Sequence, residues 1–532
     1  MSNNHCTLSY PATGAFSKLV NDYVSGAGEI RPFFEHEVSW QGVGEAIHNR
    51  ENFDTQRLLL HEVLTEQYSG FTLLEKQLLH LAKLKDKGTF TVVTAHQPNI
   101  FTGPLYFIYK ILHAIKLADE LALRYPQYHF VPVYYMGSED ADLDELGFIY
   151  AGGQKLTWQT TQVGAVGRMK TDGIQTIIDS LRLQFGHLPF GVEMIRVLEE
   201  AYTPGRNIQQ ATLYLVNELF AQFGLLVLVP DHPKLKAAFG KILHRELFEQ
   251  FSSGIVAQTT NRLKEHYKVQ AAGREINLFY LFDNGRRERI ERTHNGFRVL
   301  FSDLYFSPDE MRAELNKHPE RFSPNVILRG LFQETILPNI AFIGGGGELA
   351  YWLELKGLFA EAGVPYPVLI LRNSFLLIGE KAHALQQKLG LRPVELFKPL
   401  IDLEDMLVVR RQGKKQNTDA AQAALEKIYD TLKAELNEVD ATLIPHAGAL
   451  HSKAKKGLVA LAQKMQRAER RKMDVESAQL ESLKGMLFPN GSLQERLENF
   501  MPYFAQYGPG MLDSLYNQSL TIEQQFTVSY LA

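Results

Sequence analysis

The sequence predicts an α/β fold in which one open parallel sheet is interrupted by two insertions and followed by an antiparallel helical hairpin. The sheet is predicted from short apolar segments that alternate with helical patterns before residue 400. The hairpin is predicted from two long apolar stripes at helical spacing that begin after residue 418. A chain of 532 residues with 45% apolar and 22% charged residues is typical of a globular protein. At roughly 150 residues per domain, this length predicts about two to four domains.

The overall charge and the single cysteine exclude several classes of protein. Lys and Arg number 56 and Asp and Glu number 60, so the net charge of −4 gives no basic field for nucleic acid or anionic membranes. Cys6 alone allows neither a disulfide framework nor a multi-cysteine metal site, and we assign no set of metal ligands. The start of the chain lacks a signal-peptide pattern and no apolar run approaches the roughly 20 residues of a membrane span. We therefore expect a cytoplasmic protein.

The first strand–helix–strand unit predicts a ligand site where its first strand ends. Phe90–Thr94 is a strand, a helical pattern runs from Leu105 to Tyr125, and Phe130–Met136 is the next strand. Free N–H groups at a helix start bind phosphate or carboxylate, although a simple capped turn explains the same spacing. Neither a Walker motif nor a Gly-x-Gly-x-x-Gly motif is present. The candidate residues of this turn are Gln97, Asn99, Thr102, Gly103, Tyr109 and Lys110.

The end of the second strand is strongly acidic. Five carboxylates lie within residues 139–145, directly after the strand Phe130–Met136. Such a cluster could hold Mg²⁺, which prefers oxygen ligands, or a substrate amine. The alternative is that the acids favour the positive end of the next helix. The candidates for chemistry are Glu139 and Asp140.

A third strand end is rich in glycine. The strand Ile340–Ile343 leads through four glycines into a predicted helix at Glu348–Glu361. Glycines let backbone amides approach a ligand closely, although a plain tight turn would also use them. Glu348 would repel phosphate at this helix start and could instead receive an ammonium group. The candidate glycines are Gly344, Gly345 and Gly347.

Two isolated arginines are the remaining candidate site residues that the sequence pattern indicates. Arg168 lies in a Gly-Ala-Val-Gly-Arg-Met segment, and Arg372 follows the predicted strand Val368–Leu371. A guanidinium group binds carboxylate or phosphate through two parallel hydrogen bonds. Each arginine could equally form a structural ion pair within the protein.

The predicted helical hairpin follows the sheet. One apolar stripe runs from Leu425 to Leu443, Pro445–Gly448 breaks it, and a second stripe runs from Ala454 to Lys472. Two helices cannot bury all their apolar surface alone, so the arm docks on the body or on a second subunit.

The predicted boundaries are 1–150 for the first part of the core, 151–220 for a connecting insertion, 221–254 for a core strand and helix, 255–325 for a second insertion, 326–400 for the second half of the core, 401–490 for the helical arm and 491–532 for a C-terminal segment packed on the core.

Taken together, these segments resemble the bacillithiol biosynthesis cysteine-adding enzymes, or cysteine ligases. The resemblance extends over essentially the whole chain, including the hairpin. It depends on Gln97, Phe101-Thr102-Gly103-Pro104-Leu105-Tyr106, Tyr109-Lys110, Gly137-Ser138-Glu139-Asp140, Val166-Gly167-Arg168-Met169, Ser323-Pro324-Asn325, Arg329, Leu337-Pro338-Asn339, Gly344-Gly345, Gly347-Glu348-Leu349-Ala350-Tyr351-Trp352, Pro367, Arg372, Gln494-Glu495-Arg496 and Asn499-Phe500.

The resemblance implies a Rossmann-like core with connecting insertions and a coiled coil used for homodimerisation. It implies that L-cysteine is joined to the amine of glucosaminyl-malate in the last step of bacillithiol synthesis. Forming an amide from a free carboxylate requires activation, most simply by ATP with Mg²⁺. The chain departs from the family pattern at Ala95-His96, where many members have Gly-Gln, at Ala141, where they have His, and at Gly346, where they have Pro.

The resemblance also suggests roles for the candidates. The turn from Gln97 to Lys110 would face the reacting carboxyl group or a phosphate. Glu139, Asp140 and Glu348 would receive an ammonium group or a metal, and Arg168 and Arg372 would hold malate carboxylates or phosphates. Two alternatives stay open at this point: another ATP-dependent ligase or nucleotidyl transferase, and a non-catalytic dimeric scaffold built around the hairpin.

Overall fold

A five-stranded parallel sheet forms the centre of the computed structural model, which describes residues 4–269, 273–412 and 418–531. In chain order its strands are β1 (Thr89–His96), β2 (His129–Met136), β3 (Leu226–Leu228), β4 (Asn339–Gly344) and β5 (Val368–Leu371). Their order across the sheet is β5-β4-β1-β2-β3. The predicted α/β fold is therefore confirmed, and most of the predicted strands differ from the observed ones only by a few residues at their ends.

The central strand β1 marks the point where the connections of the sheet change direction. After β1 the chain adds β2 and β3 on one side, then crosses back and adds β4 and β5 on the other. Val93 of β1 accordingly pairs with Val133 of β2 and with Phe342 of β4. Open α/β sheets bind ligands beyond the carboxyl ends of their strands at such a switch point. The topology thus places a binding crevice between the ends of β1 and β4.

Both faces of the sheet are covered. Phe90 and Val92 belong to one apolar cluster, whereas Val93 and Ala95 belong to the larger cluster on the opposite face. Seven of the eight residues of β1 are buried, as expected for a parallel strand that is covered on both faces. The helices before the hairpin include Lys18–Ser25, Trp40–Glu51, Arg57–Gln67, Glu75–Lys83, Tyr106–Arg124, Gln175–Phe185, Gly191–Ala201, Ile208–Phe220, Pro233–Ala238, Gly240–Glu249, Phe251–Lys264, Pro308–Lys317, Val326–Ile336, Gly346–Leu353, Lys356–Ala362, Glu380–Lys388 and Leu400–Gln412.

The predicted helix Glu348–Glu361 is two helices in the structure, Gly346–Leu353 and Lys356–Ala362. The carbonyl of Trp352 accepts hydrogen bonds from the Tyr366 hydroxyl at 2.7 Å and from the Leu355 N–H at 2.9 Å. That carbonyl would otherwise accept from residue 356, so the helix ends there. The prediction of one continuous helix was wrong.

Smaller sheets flank the core. Phe148–Ala151 and Gln154–Thr157 form an antiparallel hairpin. Five antiparallel strands follow in the order Tyr305–Phe306, Gly296–Val299, Arg287–Thr293, Leu278–Leu281 and Phe322–Pro324.

The C-terminal part of the chain returns to the core. Its last strand, Gln525–Tyr530, pairs antiparallel with His5–Ser9 and parallel with Ser374–Ile378. Before it come the helices Asp474–Leu487, Met501–Tyr507 and Gly510–Gln518. The two ends of the described chain therefore meet in one three-stranded sheet beside β5.

The hairpin consists of Asp419–Val439 and Ile444–Arg470, joined by a single turn at 441–443. The predicted break at Pro445–Gly448 was wrong by a few residues. Asp440 accepts from the Thr442 N–H at 2.9 Å and caps the turn. Pro445 falls in the first turn of the second helix, where its missing N–H costs no hydrogen bond. In the part of the chain that the structure describes, no helix combines the length and apolarity needed to cross a membrane.

Candidate functional site

A cavity of about 900 Å³ opens at the switch point of the sheet. Its floor is formed by the ends of β1, β2 and β4, and one wall comes from residues 15–20 near the start of the chain. It is lined by Ala15, Phe16, Ser17, Lys18, Leu19, Val20, Ala95, His96, Gln97, Tyr106, Lys110, Tyr135, Gly137, His266, Tyr267, Lys268, Arg329, Gly345, Gly346, Gly347, Glu348, Ala350, Tyr351, Arg372 and Arg496.

An ion pair between Lys110 and Glu348 crosses the switch point. Lys110 comes from the helix after β1 and is 2% exposed, while the Glu348 side chain comes from the helix after β4 and is 21% exposed. The Lys110 ammonium donates to Glu348 Oε2 at 2.5 Å and to the Ala95 carbonyl at 2.6 Å. An ammonium group has three N–H donors, so one remains for a ligand in the cavity. Burial lowers the pKa of Lys110, and the Glu348 carboxylate opposes that shift.

Glu348 also shapes the glycine turn. Its Oε2 accepts from the Gly345 N–H at 2.8 Å, which satisfies one of the free amides at the helix start. The same carboxylate oxygen therefore fixes the turn and orients Lys110. Gly346 allows the helix Lys18–Ser25 to pack on this turn, because a Cβ atom at 346 would lie 2.8 Å from Val20 Cγ2. This contact gives a physical reason for glycine at the position where many family members have proline.

The lining of the cavity carries more positive than negative charge. Six Lys and Arg side chains line it, whereas Glu348 is the one Asp or Glu among its described lining residues. Such a field attracts carboxylates and phosphates. Four of the cations are paired with carboxylates: Lys18 with Asp22, Lys110 with Glu348, Arg329 with Asp140 and Arg372 with Glu495.

Arg329 lies on the cavity side of the acidic segment. Its Nη1 donates to Asp140 Oδ2 at 2.8 Å, and its Nη2 donates to the Tyr351 hydroxyl at 3.3 Å. Burial lowers the pKa of Arg329, but the Asp140 carboxylate and the Tyr351 hydroxyl together oppose burial, and the net effect raises the pKa. The guanidinium group is therefore a permanent charge that faces the cavity.

Glu139 and Arg168 belong to a buried network beside the cavity. Glu139 accepts from the Lys236 ammonium and from the Ser323 hydroxyl, the latter at 3.0 Å. Arg168 donates twice to Asp231, at 2.7 Å each. Burial raises the pKa of Glu139, although Lys236 opposes the shift. These contacts fix the acidic segment after β2 and place Asp140 against Arg329.

The turn after β1 has a strained backbone. Phe101, Thr102 and Gly103 have φ values of 50°, 69° and 68°, a conformation that costs energy for residues other than glycine. Asn499 Nδ2 donates to the carbonyls of Phe101 at 2.8 Å and of Gly103 at 2.5 Å. The Phe101 N–H donates to the Tyr202 hydroxyl at 2.6 Å. These bonds hold the turn from which the helix carrying Lys110 begins.

The predicted site residues divide into three groups. The cavity is lined by Gln97, Lys110, Gly345, Gly347, Glu348 and Arg372. Glu139 and Asp140 line a small adjoining space, and Arg168 lies in the network behind it. Away from the described lining are Asn99, Thr102 and Gly103 in the strained turn, Tyr109 in the core, Gly344 at the end of β4, and Asn339, which donates to Glu334 at 2.8 Å.

Several residues of the cavity were not among the predicted site residues. Arg329 and Arg496 stand in segments that resemble the family, which was the signal that could have found them, whereas Lys18 has no local motif. His96 also lines the cavity, with ring contacts to Tyr106 and Phe107. Burial and then Lys110 lower the pKa of His96 well below its usual range, so its imidazole is neutral.

The described residues do not assemble a metal site. No group of three or more His, Cys, Asp and Glu side chains converges within 4–269, 273–412 and 418–531. The acidic segment after β2 directs Glu139 and Asp140 to Lys236 and Arg329. The residues present therefore do not fit an Mg²⁺ ion held by protein carboxylates alone.

The fold and the cavity define a class: a Rossmann-like α/β domain with a cationic crevice at its switch point, joined to a helical coiled-coil domain. Residues 1–373 match the family model "Bacillithiol biosynthesis BshC, N-terminal Rossmann-like domain", and residues 375–531 match "Bacillithiol biosynthesis BshC, C-terminal coiled-coil domain". The chain belongs to the bacillithiol biosynthesis BshC family, which confirms the resemblance found in the sequence.

Relatives named "Putative cysteine ligase BshC" align over nearly the whole chain. The relative from Flavobacterium johnsoniae is 35% identical, covering 98% of this chain and 98% of its own. That from Flavobacterium psychrophilum is 36% identical with the same coverage, and that from Cytophaga hutchinsonii is 36% identical over 95% and 94%. The naming of these relatives supports a ligase.

Proposed function

We propose that this chain is a ligase that joins L-cysteine to the amine of glucosaminyl-malate, the last step of bacillithiol biosynthesis, in the cytoplasm. Membership of the family supports the reaction class. The observation that supports a role for particular residues is the Lys110–Glu348 ion pair at the floor of a cationic cavity. All of the proposed substrates bear carboxylates or phosphates, which such a cavity attracts.

The proposed chemistry is activation of a carboxylate followed by amide formation. The cysteine carboxylate attacks a phosphorus atom of ATP and displaces either pyrophosphate or ADP. The sugar amine then attacks the acyl carbon, loses a proton, and releases AMP or phosphate. The spare N–H of Lys110 stabilises the negative charge on the transferring group, as fixed cations do at developing charges. ATP is proposed as a substrate, and Mg²⁺ would enter with its phosphates.

The carboxylates of the site have different proposed roles. Glu348 faces the cavity and holds Lys110, so it is our candidate for contact with a substrate ammonium group. Glu139 and Asp140 already accept from Lys236 and Arg329. We assign to Asp140 the positioning of Arg329, and to Glu139 the positioning of the segment that carries Asp140, because displacing either carboxylate would leave a cation without its partner.

The decisive experiment is mass spectrometry of the purified chain incubated with L-cysteine and glucosaminyl-malate, with and without ATP·Mg²⁺. We expect a thiol product that depends on ATP. Release of AMP would identify an adenylate, and release of ADP an acyl phosphate. Product formation without nucleotide turnover would contradict the ATP proposal, and no product under any condition would contradict the proposed function. Neither a different nucleotidyl transferase nor a scaffold without activity is favoured by the family match.

We also propose that the hairpin forms a homodimer. Ile428 and Leu432 of its first helix are 56% and 41% exposed, although they belong to the apolar stripe. An exposed stripe of this kind is typical of a surface that packs against a second helix pair. A second copy is the proposed partner, since the stripe continues onto Leu461 of the returning helix, which is also exposed.

Leu432→Glu is expected to convert a dimer into a monomer. A charge at the centre of an apolar interface would be buried without a partner. Sedimentation equilibrium of the wild type and the variant measures the change, with circular dichroism to check that helix content is kept. Ala434→Glu, on the exposed opposite side of the same helix, is the matched control and should leave the dimer intact. A monomeric wild type would contradict the proposal.

A further inference from the structure

The short segment Gln494–Asn499 of the coiled-coil domain contributes a residue to the cavity of the Rossmann-like domain. The family models divide the chain near residue 374, so this segment lies in the C-terminal domain. Glu495 accepts from Arg372 at 2.8 Å, and Asn499 donates to the strained turn after β1. The segment is thus fixed on both sides of Arg496, whose side chain lines the cavity.

Arg496 differs from the other arginines of the cavity in its partners. Arg329 and Arg372 each have a carboxylate within hydrogen-bond distance. Among the residues that the structure describes, the Arg496 side chain has neither a hydrogen bond nor an ion pair, and its guanidinium carbon lies 5.6 Å from the centre of the Phe16 ring. Burial and the nearby Arg372 guanidinium lower the pKa of Arg496. Two cations held close together repel each other, so an anion that binds between or beside them is favoured.

Lys268 is the other cavity cation without a carboxylate partner in the described part of the chain. It is an exposed ammonium on a flexible stem, whereas the Arg496 guanidinium is planar and matches the two oxygens of a carboxylate or phosphate. The backbone that carries Arg496 is also anchored by buried Glu495 and Asn499. Arg496 is therefore the better placed of the two for specific recognition.

We propose that Arg496 is a substrate-binding residue, whose guanidinium group binds an anionic oxygen of a carboxylate or phosphate in the cavity. The C-terminal domain then supplies one of the binding groups of a site that the N-terminal domain otherwise builds. The proposal rests on the proposed function for the choice of ligands, but anion binding by Arg496 does not require turnover.

Titration calorimetry on the full chain tests this proposal with three separate ligands: ATP·Mg²⁺, L-cysteine and glucosaminyl-malate. For Arg496→Gln we expect the Kd of the ligand that it contacts to rise about 10- to 100-fold, equivalent to about 1.4 to 2.8 kcal/mol. Arg496→Lys keeps the charge but not the paired donors, so its loss should be smaller. A change for ATP identifies a phosphate, and a change for either other ligand identifies a carboxylate.

Arg467→Gln is the matched control, because Arg467 is an exposed arginine of the same domain that does not line the cavity. It should leave all three Kd values unchanged. Equal Kd values for Arg496→Gln and wild type, or no binding of any of the three ligands by the wild type, would overturn the inference. Weaker binding by Arg496→Gln with no product from the wild type would refute the proposed reaction and still support Arg496 as an anion-binding residue.

Discussion

Lys110→Met is expected to reduce the rate of product formation at least 100-fold while the protein remains folded. Methionine fills the same narrow space but has no N–H to place beside the reacting group. Loss of one fixed donor at a developing charge costs roughly 100- to 1,000-fold in kcat in characterised enzymes. The ammonium is held at a defined position by Ala95 and Glu348, so its contribution depends on geometry as well as charge. Rates from single-turnover product formation, measured at saturating substrate, would provide the comparison.

Glu348→Gln removes the negative charge of the Lys110–Glu348 pair and keeps its hydrogen-bonding geometry, so it distinguishes the effect of charge from that of geometry. Glutamine can still accept from the Gly345 N–H and from Lys110, so the turn should keep its shape, while the ammonium loses its neutralising partner. We expect a smaller loss of rate than for Lys110→Met and a raised KM for the substrate whose ammonium Glu348 contacts. Unchanged kinetics in both variants would contradict a role of the pair in the mechanism. Unfolding midpoints close to that of the wild type would show that the changes in rate do not come from a loss of folded protein.

The ends of β1 and β4 could be predicted from the sequence because their signals are local. A buried apolar strand, a following turn and a helix start occupy fewer than 20 consecutive residues around Gln97, and the same holds around Glu348. That Lys110 and Glu348 form an ion pair could not be predicted from such local signals. They lie 238 residues apart, and only the strand order brings them together.

The remaining cavity wall depends on packing that has no local signature. Lys18 and Arg496 come from opposite ends of the chain and reach the site because both ends join the small sheet beside β5. Conversely, Tyr109 follows the helix start closely in sequence, but its position on the helix turns it into the core. Proximity in sequence to a helix start therefore does not set the direction of a side chain, since Lys110 lines the cavity whereas the adjacent Tyr109 is buried in the core.

Glu495→Gln is expected to lower the free energy of unfolding by roughly 3 kcal/mol, the scale on which removing one partner of a buried ion pair acts. The carboxylate is 0% exposed and its partner Arg372 is 7% exposed, so water solvates only a small part of the guanidinium that is left behind. Glu495 also accepts from the Ser374 hydroxyl and the Phe375 N–H, both at 3.2 Å. Urea denaturation followed by circular dichroism measures the loss.

Two comparisons define what the Arg372–Glu495 pair does. Glu291→Gln removes the same charge from an exposed pair, Arg298–Glu291, whose side chains are 57% and 37% exposed, and should change stability by less than about 1 kcal/mol. The double variant Arg372→Met/Glu495→Leu replaces both charges with apolar groups of similar size, so most of the stability should return. The double variant should still bind anionic ligands more weakly than the wild type, because it lacks the Arg372 guanidinium that lines the cavity. If the double variant were as unstable as Glu495→Gln, the loss would come from packing of the segment and not from an unpaired charge.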